Sequence, residues 1–482
     1  MTAVFLFLFS FLSGLLCINA GLFHYDSVAL ARAVETTWQT GHLQPSVCGR
    51  YGAVLVNAIL YLPFFWAGQN ADFLTRFSSV LFHALSVVAF YIFIRELFSS
   101  RGQAVLGAVL LALTPFYLVP NTLGKEHGMC LFFLLLSFYC LVKGSLRDDA
   151  RLIVCASVLF ALSVSVRESA LILLPWYFAL FFRPVPPTVS ARPAQVGWRM
   201  LLALTFPLTL IVILILGSYL WPVVVNSLGQ SPLAASYFTG LSSATRGNAW
   251  DDLTRSVPWL LWVCAAAGIF RLWRWGDRFL LWFFILWMGL FFIYGNTSTY
   301  TSRYLDVVMV PFYIFAAGGI RWLWEKNRPA AFFIAAWCVV WMVIFVYPLL
   351  YFRHLYNGKK ELAHYIEMMT RRQDVIIAMD DGPFIEYYGH RKTMTPPRSG
   401  AADLDCFIRD IKTRFEHGIS VYLTGSAMNY DRSGALRSAL VKNFNITALG
   451  GSMTEDTHRP ELAFQIYYEK FYKLAITYNK ER

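Results

Sequence analysis

The sequence predicts an all-α polytopic membrane domain of about eleven spanning helices over residues 1–352, followed by a small soluble α/β domain over 353–482. Three observations carry that prediction. Of the 482 residues, 57% are hydrophobic and only 15% charged, against roughly 25% charged in soluble domains. Apolar runs of near-spanning length recur, separated by short polar connections. Those connections also alternate in charge, with basic residues on every second one. The net charge of +12 therefore reports membrane orientation, and no nucleic-acid partner is expected.

The apolar runs fall at about 1–20, 77–94, 103–119, 128–142, 152–166, 170–182, 200–225, 257–270, 279–294, 304–320 and 330–350. A bilayer asks for roughly 20 residues per helix. The basic connections carry Arg95 and Arg101; Lys143, Arg147 and Arg151; Arg183, Arg192 and Arg199; Arg271, Arg274 and Arg278; and Arg321, Lys326 and Arg328. The positive-inside rule places these five loops in the cytoplasm. The expected localisation is thus an integral membrane protein, of the bacterial inner or plasma-membrane kind. Its N-terminus is cytoplasmic and its C-terminal domain extracytoplasmic. Residues 1–20 lack the basic start of a signal peptide, so the first helix is expected to be retained. The run 51–67, broken by Pro63 and Gly68, would invert every later loop if it crossed, and is read as a helix dipping into the outer interface.

The external turns hold the candidate chemistry. Residues 21–51 contain the first acidic residue, Asp26, followed by Leu30, Val34 and Trp38 at helical spacing. That pattern suits an interfacial amphipathic helix, and Asp26 could equally cap it. The turn 120–127 packs Lys125, Glu126 and His127 together, and the next external turn is essentially Arg167, Glu168 and Ser169. The loop 226–256 carries Arg246, and 295–303 ends on Arg303. Each alone reads as a snorkelling side chain or a helix end. Converging on one face, they read as a shared polar cavity. His24, Asp26, Glu126 and His127 have metal-ligand chemistry but no ligand spacing, so no metal or other cofactor is required. Of eight cysteines, Cys48 and Cys406 alone lie in external aqueous parts, and two cysteines define no disulfide framework.

From about Arg353 the apolar runs DVIIAMD (374–380) and ISVYLTG (419–425) alternate with helical patterns, which argues for a small α/β layer with some parallel strands. There is no phosphate-binding glycine motif in it.

Four stretches resemble the GT-C superfamily of membrane glycosyltransferases, nearest the dolichyl-phosphate-mannose protein mannosyltransferase and lipid A aminoarabinose transferase branch. They are HYDSVALARAVETTWQTGHL, GRYGAVLVNAILYL, TPFYLVPNTLGKEHGMCLFFLLLSFYCL and TSRYLDVVMVPFYIFAAGG. The first has Asp-Ser where many relatives have Asp-Glu. The second has Arg50-Tyr51-Gly52 in place of Lys-Pro-Pro. The resemblance implies transfer of one sugar from a polyprenyl-phosphate donor to a glycan, lipid or protein hydroxyl on the extracytoplasmic side, with inversion. An oligosaccharide ligase or polymerase, or a lipid or ion transporter, is the alternative. A transporter, however, would place ionisable residues at mid-membrane. On the resemblance, Asp26 is the expected base, with Glu126 in a second acidic slot. Arg303 is the expected phosphate partner, with Arg50, Lys125 and Tyr304 beside it. His127, Arg167, Glu168 and Arg246 would contact sugar or acceptor.

Overall fold

In the computed structural model, residues 1–46, 50–147, 149–181, 254, 256–275, 277–297, 305–397, 401–429, 434–455 and 466–476 are described. They divide into two compact units. One contains Met1–Ile18 and Ala33–Phe352; the other contains Asn19–Arg32 and the described residues from Arg353 onward.

The first unit is helical. Its elements are α1 (Thr2–Leu16), the second half of α2 (Tyr25–Thr40), α3 (Tyr51–Trp66), α4 (Ala71–Phe98), α5 (Arg101–Leu113), α6 (Pro115–Thr122), α7 (His127–Arg147) and α8 (Ala150–Val166). A 3-10 turn (Glu168–Leu173) leads into α9 (Leu174–Phe181), and α10 (Trp259–Arg274), α11 (Arg278–Thr297), α12 (Leu305–Lys326) and α13 (Arg328–Leu355) follow. Helices thus occupy ten of the eleven apolar segments, and 200–225 lies outside the described residues. Among the described residues, three helical runs are long and apolar enough to cross a membrane by themselves: Ala71–Phe98, His127–Arg147 and Arg328–Met369. The segment read as one span over 103–119 is two helices bent by 54°. Pro115 causes the break, because it cannot donate into the helix and disfavours helical geometry at Thr114.

Helices meet closely where side chains vanish. A β-carbon on Gly268 would sit 1.9 Å from the Phe315 carbonyl oxygen, and one on Gly319 would sit 1.9 Å from that of Cys264. α10 and α12 therefore cross backbone to backbone, the small-residue contact that close membrane-helix packing uses. Asn57, a polar exception within an apolar stretch, is satisfied: its amide donates to Ala53 O at 2.8 Å and it accepts from the Ser78 hydroxyl at 2.5 Å.

The second unit is an α/β layer. It comprises α14 (Gly358–Met369), β1 (Val375–Ile377), α15 (Gly382–Tyr388), β2 (Lys392–Met394), α16 (Ala401–Glu416), β3 (Val421–Thr424), α17 (Gly425–Asn429), α18 (Ala435–Asn443), β4 (Phe444–Glu455) and β5 (Ile466–Ile476). The sheet order is β2-β1-β3-β5-β4, with β1 parallel to both β2 and β3. β5 runs antiparallel to β3 and β4. Alternate residues feed two cores: Ile376 and Tyr422 pack with Leu362, Ile366 and Ile385 on one face. Ile377, Val421 and Leu423 pack with Phe407, Ile411 and Leu440 on the other. The parallel pair is the one expected from DVIIAMD and ISVYLTG. The long antiparallel β4–β5 pair is an addition, bulged between Ala448 and Gly450, where φ at Gly450 is +126°.

Candidate active site

In the first unit, six of the expected residues gather at the ends of α3, α7 and α8. Arg50 precedes α3, Lys125 and Glu126 precede His127 at the start of α7, and Arg167 and Glu168 follow α8. The local sequence explains the approach. Gly52 has no side chain, and a β-carbon there would lie 2.2 Å from the Ser165 hydroxyl and 2.8 Å from its carbonyl carbon. α3 can therefore press against the end of α8, which brings Arg50 to Glu168. Gly128 does the same for α7: its amide donates to Asn121 Oδ1 at 2.8 Å, and a β-carbon would lie 2.9 Å from the His83 backbone nitrogen.

The side chains form one ionic network. Arg50 Nη1 donates to Glu126 Oε1 at 2.5 Å, while its Nε and Nη2 donate to the two Glu168 oxygens at 3.0 and 3.1 Å. Arg167 Nη1 hydrogen-bonds His127 Nε2 and lies 3.7 Å from Glu126 Oε1. Arg50, Glu126, His127 and Arg167 are all buried. Burial pushes the Glu168 carboxyl up, but the Arg50 charge and hydrogen bonds, with Arg167 behind them, outweigh it and hold the carboxyl below its usual range. Lys125 is 3% exposed and its carbonyl accepts from the Ser79 hydroxyl at 2.6 Å. Arg167 and Glu168, adjacent in sequence, thus bond to residues distant in the chain, His127 and Arg50.

Asp26 belongs to the second unit. It is one residue inside α2, in the first turn, and the helix is opened by His24, whose carbonyl accepts from Ser27 and Val28. Asp26 is therefore not the cap residue, although an acid in the first turn is favoured by the helix dipole. His24 Nδ1 faces both the Asp26 amide, at 3.2 Å, and Asp26 Oδ2, at 3.3 Å. A neutral ring accepts the amide hydrogen; a protonated one pairs with the carboxylate. Of the four residues with metal-ligand chemistry, His24 and Asp26 lie in one unit and Glu126 and His127 in the other. Among the described residues no group of three or more His, Cys, Asp or Glu could hold a metal.

Arg303, Tyr304 and Arg246 lie outside the described residues, as does Cys48.

Residues 54–213 match the family of dolichyl-phosphate-mannose-protein mannosyltransferases. The structure superimposes on ArnT of Cupriavidus metallidurans, solved bound to undecaprenyl phosphate. The TM-score is 0.62 at 12% identity, covering 98% of this chain and 97% of that one. The chain carries the GT-C fold. Two further solved GT-C structures agree. The oligosaccharyltransferase AglB of Archaeoglobus fulgidus, in complex with an inhibitory peptide and a dolichol-phosphate, matches at TM-score 0.56 and 13% identity, covering 97% of this chain and 74% of that one. The mycobacterial arabinofuranosyltransferase AftD matches at 0.53 and 13%, covering 98% of this chain and 40% of that one. A comparison with curated protein sequences finds no match.

Proposed function

We propose that this GT-C chain is an integral membrane glycosyltransferase that moves a single sugar from a polyprenyl-phosphate donor to an acceptor hydroxyl. The acceptor would be a glycan, lipid or protein on the extracytoplasmic side. The observation that carries the reading is the whole-chain likeness to ArnT, whose solved structure holds undecaprenyl phosphate. The mannosyltransferase match over 54–213, which begins just after Arg50 and takes in the rest of the ionic network, supports it. The likeness to AglB favours a second reading, transfer of a preassembled glycan. A single-sugar donor and an oligosaccharide donor distinguish the two.

In the proposed reaction Asp26 takes up the acceptor proton as the anomeric bond breaks. With one base and direct displacement the anomeric centre inverts. Arg303 receives the departing phosphate, since a guanidinium offers paired donors to its oxygens. The Arg50–Glu126–Glu168–Arg167–His127 network is charge-balanced and fixes α3, α7 and α8 around the sugar. Orientation follows from the basic loops: a reporter fused after Tyr356 reads external, and one inserted in 184–197 reads cytoplasmic. Two reporters on one side would sink the scheme.

The decisive test is Asp26→Asn in the purified protein. The donors are tritiated mannose, glucose and aminoarabinose esters of undecaprenyl phosphate, with an extract of the cell's own membranes as acceptor. The expected outcome is donor binding retained and transfer slowed at least about 100-fold, within the 10² to 10⁴ that general bases contribute. Near-normal turnover would return Asp26 to a structural role in the first turn of α2.

A further inference from the structure

The segment carrying Asp26 is tied to the C-terminal unit at every turn. Residues 19–24, just ahead of α2, form no helix or strand, so their backbone groups need partners from elsewhere. They find them more than 300 residues away. The Ala20 amide donates to Arg353 O at 2.9 Å. The Leu22 amide donates to the Tyr388 hydroxyl at 2.8 Å, and the Leu22 carbonyl accepts from the Asn357 amide at 3.0 Å. Gly21 is pressed against Asn357, where a β-carbon would lie 3.0 Å from its Nδ2. Phe23 lies under the Arg353 guanidinium, its ring centroid 4.1 Å away. That guanidinium, 2% exposed, is held by Glu455 through contacts of 2.5 to 3.2 Å. Two turns into α2, Arg32 pairs with Glu386 at 2.7 Å and donates to Pro383 O.

We infer that the C-terminal unit acts as a clamp that sets the position of Asp26, with Tyr388 and Asn357 as its positioning residues. The clamp rests on the reading of Asp26 as the base. The two residues grip the donor and acceptor of one residue, Leu22, four positions before Asp26. Neither residue belongs to the two cores that flank the sheet. Tyr388 keeps its ring contacts without the hydroxyl. Asn357 also caps α14, separately, through its Oδ1, which accepts from the Lys360 amide at 3.0 Å. Aspartate would keep that cap, since Asp and Asn cap equally well. It would lose the N–H donor to Leu22 and set a carboxylate against the Leu22 carbonyl. A base must sit within hydrogen-bond reach of the proton it takes, and a misplacement of about 1 Å can cost about 100-fold.

The test uses the full-length protein with Tyr388→Phe, Asn357→Asp and their combination, each also in an Asp26→Asn background. Hydrogen exchange reports the peptide 19–32. Transfer from the tritiated undecaprenyl-phosphate sugars reports kcat and KM separately. The clamp predicts faster exchange in 19–32 with the remainder of the C-terminal unit unchanged. It also predicts a kcat lowered about 10- to 100-fold in the combination, a donor KM within about twofold, and no further loss when Asp26→Asn is already present. Normal kcat with a loosened segment would overturn it, as would a loss that multiplies with that of Asp26→Asn. Full activity in Asp26→Asn alone would instead defeat the reading of the base, and is told apart because the clamp variants are not involved.

Discussion

Removing Arg50 should cost stability before it costs anything else. Its side chain is 10% exposed and serves two carboxylates, Glu126 and Glu168, through three hydrogen bonds. Arg50→Met leaves two carboxylates against Arg167, one negative charge in excess. Glu126, with a side chain 6% exposed, bears most of the penalty; Glu168, at 28%, is partly screened by solvent. Breaking a buried pair by deleting one partner typically costs about 3 to 5 kcal/mol. Most of that belongs to Glu126, so the expected loss is about 3 to 4 kcal/mol. A second substitution isolates the cause. Arg50→Met with Glu126→Gln leaves Arg167 against Glu168, one charge of each sign, and should recover all but about 1 kcal/mol, because a buried pair replaced whole is often neutral. Arg50→Lys should be intermediate: one ammonium cannot serve Glu168 in paired fashion and also reach Glu126. The assay is unfolding of the purified protein in bicelles by titration with dodecyl sulfate, using intrinsic tryptophan fluorescence. A loss under about 0.5 kcal/mol in Arg50→Met, far below the cost of a stranded buried charge, or a double variant weaker than the single one, would refute the network as the fastening of α3 to α7 and α8.

In the C-terminal unit Glu469 is 3% exposed and its Oε1 accepts the Ser426 amide at 2.5 Å; burial and the nearby Asp381 raise its carboxyl above the usual range. The folded state therefore binds more protons than the unfolded one between about pH 4.3 and that raised value, and stability falls as pH rises through this window. Glu469→Gln keeps the acceptor and should flatten that fall in pulse proteolysis of the full chain from about pH 4 to about pH 8; an unchanged slope would refute it. Gly319→Ala places a β-carbon 1.9 Å from Cys264 O and should cost about 1 to 3 kcal/mol or more. Gly318→Ala meets the end of the Gln103 side chain at 3.3 Å and Gly268 Cα at an ordinary 3.8 Å, and should cost well under that in the same unfolding assay. Arg303→Ala should weaken binding of tritiated undecaprenyl-phosphate sugar at least about tenfold, the scale of a charge-assisted hydrogen bond to phosphate, with Arg303→Lys rescuing only part; unchanged affinity would move the phosphate site elsewhere.

The helices were legible because apolar length and loop charge are local properties. Even the odd helix of 51–67, and the amphipathic one that carries Asp26 in its first turn, could be read from residues a few positions apart. What was not legible is what depends on distant partners. The adjacent pair Arg167-Glu168 invites a pairing between neighbours, but Glu168 bonds Arg50, 118 residues earlier. Arg167 bonds His127, 40 residues earlier. The strand Phe444–Glu455 contains Gly450-Gly451 and several exposed positions, so it lacks the apolar alternation that marks a strand. It forms because β5 supplies the matching edge. The grouping of Asn19–Arg32 with the residues after Arg353 has no local sign, since its contacts span 335 and 366 positions. His24 beside Asp26 was the one partner that spacing could have suggested, two residues away and at the opening of the helix.

The charge balance of the first-unit cluster also constrains the chemistry. Two guanidinium groups face two carboxylates, and each carboxylate already takes at least one Arg50 hydrogen bond. A donor phosphate entering that group would have to displace a carboxylate, stranding it in a buried setting at a cost of several kcal/mol. A cluster so neutralised is suited to neutral ligands, because sugar hydroxyls both donate and accept and require no net charge. The cation that takes the leaving phosphate is then expected from a residue not already spent on a carboxylate. In the sequence the guanidinium candidates on the later external turns are Arg303, Arg246 and Arg255. Arg303, near the head of the segment TSRYLDVVMVPFYIFAAGG, leads into the helix α12 that crosses α10 backbone to backbone. Cations held on preorganised elements are the ones that stabilise a developing negative charge with least reorganisation.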